Sequence, residues 1–319
     1  MTLQEQIRAN RLRSVITIAG FFLLVAVVAA AVGVALDLSV GIFAFAGALV
    51  YAAFALLRSR SLVASMTGAQ AVPPDELRQL RRLVENVSIG AGLAVTPEVR
   101  IVDDPAPNAF ATGLRPEKSF VGVTTGLLRT MPRRELEAVI AHEVAHVRNR
   151  DTYLMTMAAI FVGVIVLIAD LGFRALAFGG RRRGGGGGWI ALVAAVVGFL
   201  LAPYAAMLLR LALSRRRELL ADATAAEILN DPEAVAMALR RLGADPTTVR
   251  HADESVAHLW IESPTDRLDT ESRGRLRLAG WFNTHPPLED RIAALERAGG
   301  FRLPERLAPD EPFLAVAPS

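Results

Sequence analysis

His142-Glu143-Val144-Ala145-His146 constrains this chain more than any other stretch. It lies within a pattern of helical period. Leu136, Val139, Ile140, Val144 and Val147 recur at helix spacing, Pro132 suits a first helical position, and Glu135 falls in the first turn. The spacing predicts a helix over residues 132–149. Side chains four apart on a helix project from one face, so the two imidazoles can grip one ion. Glu143, beside the first ligand, can reach a water on that ion. The chain has only 5 histidines, so a pair flanking a glutamate at this spacing is hard to assign to chance. On an otherwise apolar helix they would also be awkward core residues without partners. One Zn²⁺ per chain is the expectation.

The sequence has no cysteine, which removes disulfides and thiolate ligands and leaves His, Glu and Asp to hold a metal. Hydrophobic residues make up 52% of the 319 residues, and the mean hydropathy is +0.36. That balance points to membrane-spanning helices rather than a simple soluble enzyme. Net charge is only +3, and the arginines lack the aromatic interleaving of a nucleic-acid surface. Nucleic acid is not an expected partner.

Four apolar runs have spanning length. The first two, over residues 14–35 and 40–57, read as a tight hairpin, with Arg8, Arg11 and Arg13 at one outer end and Arg58 and Arg60 at the other. A secretory signal is the competing reading, but the first run is too long for one and a second apolar run follows at once. The positive-inside rule puts both ends of this hairpin in the cytoplasm. A second hairpin is expected from runs at 153–173, interrupted by Asp170, and 189–213, which opens on Trp189 and is broken by Pro203. Arg181-Arg182-Arg183 and five glycines at 184–188 link its arms, a linker rather than a phosphate loop. This places Arg174 and the arginine triplet outside, against the positive-inside rule. Either the first hairpin dominates or the second only partly inserts; true spanning is the expectation. The expectation is a multi-pass protein of the cell membrane with its catalytic domain facing the cytoplasm and the lipid bilayer as a partner.

Between and after the hairpins the chain reads as soluble. The domain expectation is an N-terminal hairpin region (1–60), a first catalytic part (61–151), the second hairpin (152–213), a second catalytic part (214–303) and a flexible, Pro-rich tail (304–319). Pro73-Pro74-Asp75-Glu76 opens a helix through Leu80, Leu83 and Val84 that Gly90 and Gly92 stop. Short strands are expected at 97–102, 108–113 and 118–124, making a small sheet beside the metal helix. A free edge of that sheet could add an extended peptide; an ordinary structural meander is the alternative. A helix runs from 214 to 229, and Asp231-Pro232 caps and opens the next. A last helix ends at Gly299-Gly300. The fold class is therefore mostly α with a small β-sheet and four transmembrane helices. His251 and His258 lie in a polar stretch without matching partners and read as solvated.

Two histidines leave a catalytic zinc one protein ligand short, with a further position for water. Glu218, on the first polar helix after the second hairpin, is the best donor. Asp222, one turn on, can accept the free N–H of a ligand histidine. Spacing alone equally allows Glu218 to pair with nearby arginines. His285, before Pro286-Pro287, could by itself simply cap a turn.

His142-Glu143-Val144-Ala145-His146, Asn108-Ala109-Phe110-Ala111-Thr112-Gly113, Arg217-Glu218-Leu219-Leu220-Ala221-Asp222 and Thr284-His285-Pro286-Pro287 occur in this order in one chain. With them the chain resembles the HtpX-type membrane zinc metallopeptidases, relatives of the CAAX prenyl proteases, over nearly its whole length. The resemblance implies a zincin-type, gluzincin-like catalytic domain with Glu218 as third ligand. It implies that Asn108 and Ala109 line a peptide cleft. It also implies that His285 sits near the metal, holding substrate or the tetrahedral intermediate, and that Arg291 braces the site. The Arg/Gly-rich loop fits the family pattern poorly, and Leu219 stands where an aromatic is common.

The expected activity is zinc-dependent hydrolysis of peptide bonds with Glu143 as general base. The resemblance implies misfolded membrane proteins as substrates, in a quality-control role. One alternative is a dedicated processing protease of the CAAX prenyl type, against which four spans argue. Another is a non-enzymatic zinc-binding scaffold, which would need no Glu143. A transporter is weaker still, since Asp170 is the one clear acid deep in an apolar run. The sequence does not specify an oligomeric state.

Overall fold

Short alternating stretches and longer helix-period ones sort the chain into a mostly helical protein with a small mixed sheet. The computed structural model describes residues 38–73, 77–161, 215–249, 259–261 and 286–314, with scattered positions between 19 and 30. Its helices are α1 (Leu38–Leu57), α2 (Ser59–Thr67), α3 (Arg78–Gly90), α4 (Thr125–Thr130), α5 (Arg133–Arg148), α6 (Arg215–Leu229), α7 (Pro232–Ala244) and α8 (Leu288–Gly299). The strands are β1 (Gln70–Ala71), β2 (Glu98–Val102), β3 (Ala109–Thr112) and β4 (Phe120–Thr124). Residues 151–161 are also helical.

The strand order is β1-β2-β4-β3, so the sheet is not a meander. β2 and β4 run parallel, with Val99 opposite Val121, while β3 returns antiparallel to β4 and lies at an edge. Side chains alternate across the sheet. One set, Val99, Ala109, Ala111, Val121 and Val123, joins the core that holds Leu136, Val139 and Ile140 of α5. Phe110 and Phe120 belong to the alternate set and meet edge-to-face at 5.6 Å. Gly122 makes that possible, because a Cβ there would fall 2.3 Å from the Phe110 ring.

The chain divides into two compact units, one of Met1–Ser59 with Met157–Leu211 and the other of Arg60–Thr156 with Ala212–Ser319. The second unit carries the sheet and α3 to α8. Within it, α5 packs on α6, α7 and α3, and α8 packs on α7 and α6. The Asp231 side chain accepts from Ala234 N at 3.0 Å and Pro232 follows, as the capping pattern requires. Buried Glu135 of α5 accepts from Arg241 of α7 at 2.7 Å. The C-terminal segment is hydrogen-bonded to the same unit: Phe313 N donates to Met131 O and Leu314 N to Leu128 O, both at 2.8 Å. In the first unit, α1 buries Ala52 and Ala55 and leaves Ile42, Phe43, Val50 and Phe54 exposed.

Four membrane-spanning helices are not found among the described residues, which corrects the expectation from the apolar runs. Among the described residues, no single helix is long and apolar enough to cross a membrane. Phe45–Leu57 and Ser59–Thr67 pass a length-and-composition test only as a pair, and the pair is bent at its break. Hydropathy counts composition along a run and does not report whether a helix of spanning length and continuity forms there. The first and fourth runs, residues 162–173 of the third, and the Arg/Gly-rich loop lie almost wholly outside the described residues. A multi-pass membrane location with a cytoplasm-facing catalytic domain is thus not supported by the fold.

Candidate active site

α5 presents His142, Glu143 and His146 to the interior of the second unit, and all three are buried. The one-turn spacing does what the sequence required, and the two rings stand nearly perpendicular with centroids 4.8 Å apart. α6 brings Glu218 opposite them. Its Oε2 lies 3.7 Å from His142 Nε2 and its Oε1 lies 3.6 Å from His146 Nε2. One donor atom from each of His142, His146 and Glu218 falls within 4.8 Å of the others. Two imidazole nitrogens and a carboxylate in a buried cluster fit Zn²⁺, with a position left for water. The tie between Glu218 and the histidines, which spacing left open, is made by the packing of α6 on α5.

The outward nitrogen of each imidazole meets a carboxylate. His142 Nδ1 lies 2.9 Å from Asp222 Oδ1, and His146 Nδ1 lies 3.2 Å from Asp151 Oδ2. Arg291 of α8, fully buried, donates to both oxygens of Asp222, from Nη2 at 2.7 Å and Nε at 2.8 Å. Its Nη1 is 3.5 Å from Glu218 Oε2. A buried guanidinium between two carboxylates offsets charge that would otherwise be costly to hold away from water.

These surroundings set the protonation states. Burial pushes Asp222 up, but the charge and hydrogen bonds of Arg291 outweigh it and hold the carboxyl at about 2. Burial lowers His142, and the Arg291 and His146 charges add to that against the pull of Asp222. His146 is pushed down by burial too, yet Asp151, Glu218 and Glu143 raise it to about 9. Burial raises Glu143 to about 7, with Glu218 adding to the rise, while His146, the Ala111 backbone N–H and Arg291 oppose it. Among the described residues Glu143 Oε1 has no hydrogen-bond partner.

Asn108 and Ala109 are buried at the start of β3. Asn108 N donates to Thr124 Oγ1 at 2.9 Å, and Asn108 Oδ1 accepts from Ala109 N at 3.0 Å. The outer edge of β3 is engaged there, because Ile261 N donates to Ala109 O at 3.0 Å and Phe110 bridges Trp260 in antiparallel fashion. The Trp260 ring, fully buried, packs on Phe110 at 4.7 Å. Nothing local in the sequence signals this pairing. His285, His251 and His258 lie outside the described residues; Pro286, next to His285, is buried and leads into α8. Asp151 was also missed, although a carboxylate five residues beyond His146 was visible.

The pattern of peptidase family M48 matches residues 74–298. The chain is 38% identical over 302 residues to the protease HtpX homolog of Streptococcus gordonii, covering 92% of this chain and 99% of that one. It is 39% identical over 305 residues to the protease HtpX homolog of Limosilactobacillus fermentum, with the same coverage. It is 37% identical over 312 residues to that of Listeria monocytogenes, covering 92% and 98%. Among solved structures it is similar to the crystal structure of S. mikatae Ste24p, at 16% identity and a TM-score of 0.40, covering 77% of this chain and 57% of that one. With a buried His142–His146–Glu218 triad in place, the chain belongs to peptidase family M48, as an HtpX-like, zinc-dependent endopeptidase.

Proposed function

We propose that this endopeptidase clears misfolded or damaged proteins by cutting extended segments laid along β3. The observation that carries this reading is the juxtaposition of an edge strand, through Ala111, with the Glu143 carboxylate. An extended peptide added to a sheet edge is bound through its backbone and needs no fixed sequence, which suits a substrate class defined by unfolding. Asn108 and Ala109 would then hold the peptide, once the contact of Ile261 with Ala109 opens.

When bound, zinc supplies Lewis acidity that polarises the scissile carbonyl and acidifies a water. His142, His146 and Glu218 would hold it, with Asp222 and Arg291 keeping His142 oriented. Glu143 takes a proton from the attacking water and returns it to the leaving amine. A carboxylate placed beside the ligand set can do both. His285 is proposed to hold the substrate or stabilise the oxyanion. A storage or scaffold protein would have no use for such a buried, partnerless carboxylate oxygen.

Purified full-length protein with zinc should be incubated with one model protein in folded and denatured forms, and with a prenylated peptide. Cleavage of the denatured form alone, abolished by a chelator and restored by zinc, is the expected outcome. Preference for the prenylated peptide would replace this reading by the processing one.

A further inference from the structure

His142 has its orienting carboxylate from another helix, in Asp222. The corresponding group for His146 comes from its own neighbourhood in sequence and depends on a break in the helix. On an uninterrupted helix, a residue five positions on lies about 140° round the axis and faces elsewhere. α5 stops at Arg148, with Asn149 N bonded to Ala145 O at 2.9 Å. Arg150 then adopts φ +60°, and its N–H reaches Val147 O at 3.2 Å. Helical geometry resumes at residue 151. A left-handed arginine is a disfavoured backbone state that persists where the surroundings demand it. Its result here is that Asp151, 1% exposed, turns its Oδ2 to within 3.2 Å of His146 Nδ1.

We propose that Asp151 is a positioning residue of the metal centre: it accepts the Nδ1–H of His146, fixes that tautomer, and so leaves Nε2 as the donor toward the ion. The proposal rests on the ligand set His142, His146 and Glu218. It gives both imidazoles the same construction, a carboxylate on Nδ1 and the Glu218 side on Nε2. Partners of this kind commonly change metal affinity 10–100-fold. The competing role is structural. An acid at the start of the helix over 151–161 favours that helix whether or not a metal is bound.

The test is a zinc titration of the full chain, stripped of metal, against a chelator of known affinity. Asp151→Ala is expected to weaken zinc binding about 10–100-fold, and Asp151→Asn, whose amide oxygen accepts the Nδ1–H but carries no charge, about tenfold. Thermal melting of the metal-free proteins is measured alongside. Wild-type zinc affinity in Asp151→Ala, with or without a lower metal-free melting temperature, would assign the residue to the helix start and overturn the proposal. If Asp151→Ala does not fold, Asp151→Asn decides: weakened zinc binding supports the proposal and unchanged binding overturns it. The wild-type titration tests the ligand set itself, so a failure there is distinct from a failure confined to the Asp151 variants.

Discussion

Asp222 Oδ1 stands 2.9 Å from His142 Nδ1 while the same carboxylate is clamped at both oxygens by Arg291. The clamp holds Asp222 ionised although it is buried, so it can serve as acceptor for the imidazole. α5, α6 and α8 thereby meet at one carboxylate, and each contributes one member of the chain Arg291–Asp222–His142.

The ligand and its support should separate on substitution. Glu218→Ala is expected to abolish tight zinc binding, and Asp222→Asn to weaken it about 10–100-fold. Zinc titration of both variants checks the order. A Glu218 variant that holds zinc like wild type would place the third ligand elsewhere.

Glu143→Gln should leave zinc affinity near wild type and lower peptide cleavage about 10²–10⁴-fold, the usual worth of a general base. Metal content and turnover are to be measured on the same preparation. Cleavage at the wild-type rate would sink the mechanism.

Ile261→Pro removes the N–H that Ala109 O now accepts. If substrate pairs with that edge, a competitor for it is lost, and KM for an extended peptide should fall about fivefold with kcat unchanged, the effect of a hydrogen bond of about 1 kcal/mol. A raised KM would show instead that the 259–261 segment builds the cleft.

Asp231→Ala should destabilise the protein by about 1–2 kcal/mol. Most of this is the lost cap of α7; the part-exposed ion pair with Arg134 adds little. Hydrogen bonds from Arg134 hold the Asp231 carboxyl below its usual range against the effect of burial, with the Ala234 N–H helping. A depressed carboxylate stabilises above its unfolded pKa and loses that contribution as pH falls through the folded one. The gap between wild type and variant in denaturant melts should therefore be full above about pH 4 and narrow as pH falls through the lower folded pKa. A gap that persists unchanged in acid would remove the charge from the argument.

Much of this protein was legible in residues a turn or two apart. The helix bearing His142 and His146, the strands at 98–102, 109–112 and 120–124, and the Asp231-Pro232 cap all follow from periodicity and turn chemistry. Such signals act over a few bonds and need no knowledge of where the rest of the chain lies. Tertiary structure decided what those signals cannot reach. Packing of α6 on α5 turned Glu218 from a possible partner of arginines into a member of the metal triad. The left-handed Arg150 brought Asp151 back to His146, where an unbroken helix would have carried it away. Trp260 and Ile261 met the edge of β3 through a pairing with no local signature. The apolar runs misled for the complementary reason: hydropathy sums side-chain preference along a window, whereas a span needs one long straight helix, and among the described residues only a bent pair, Phe45–Leu57 with Ser59–Thr67, meets the length and composition of one.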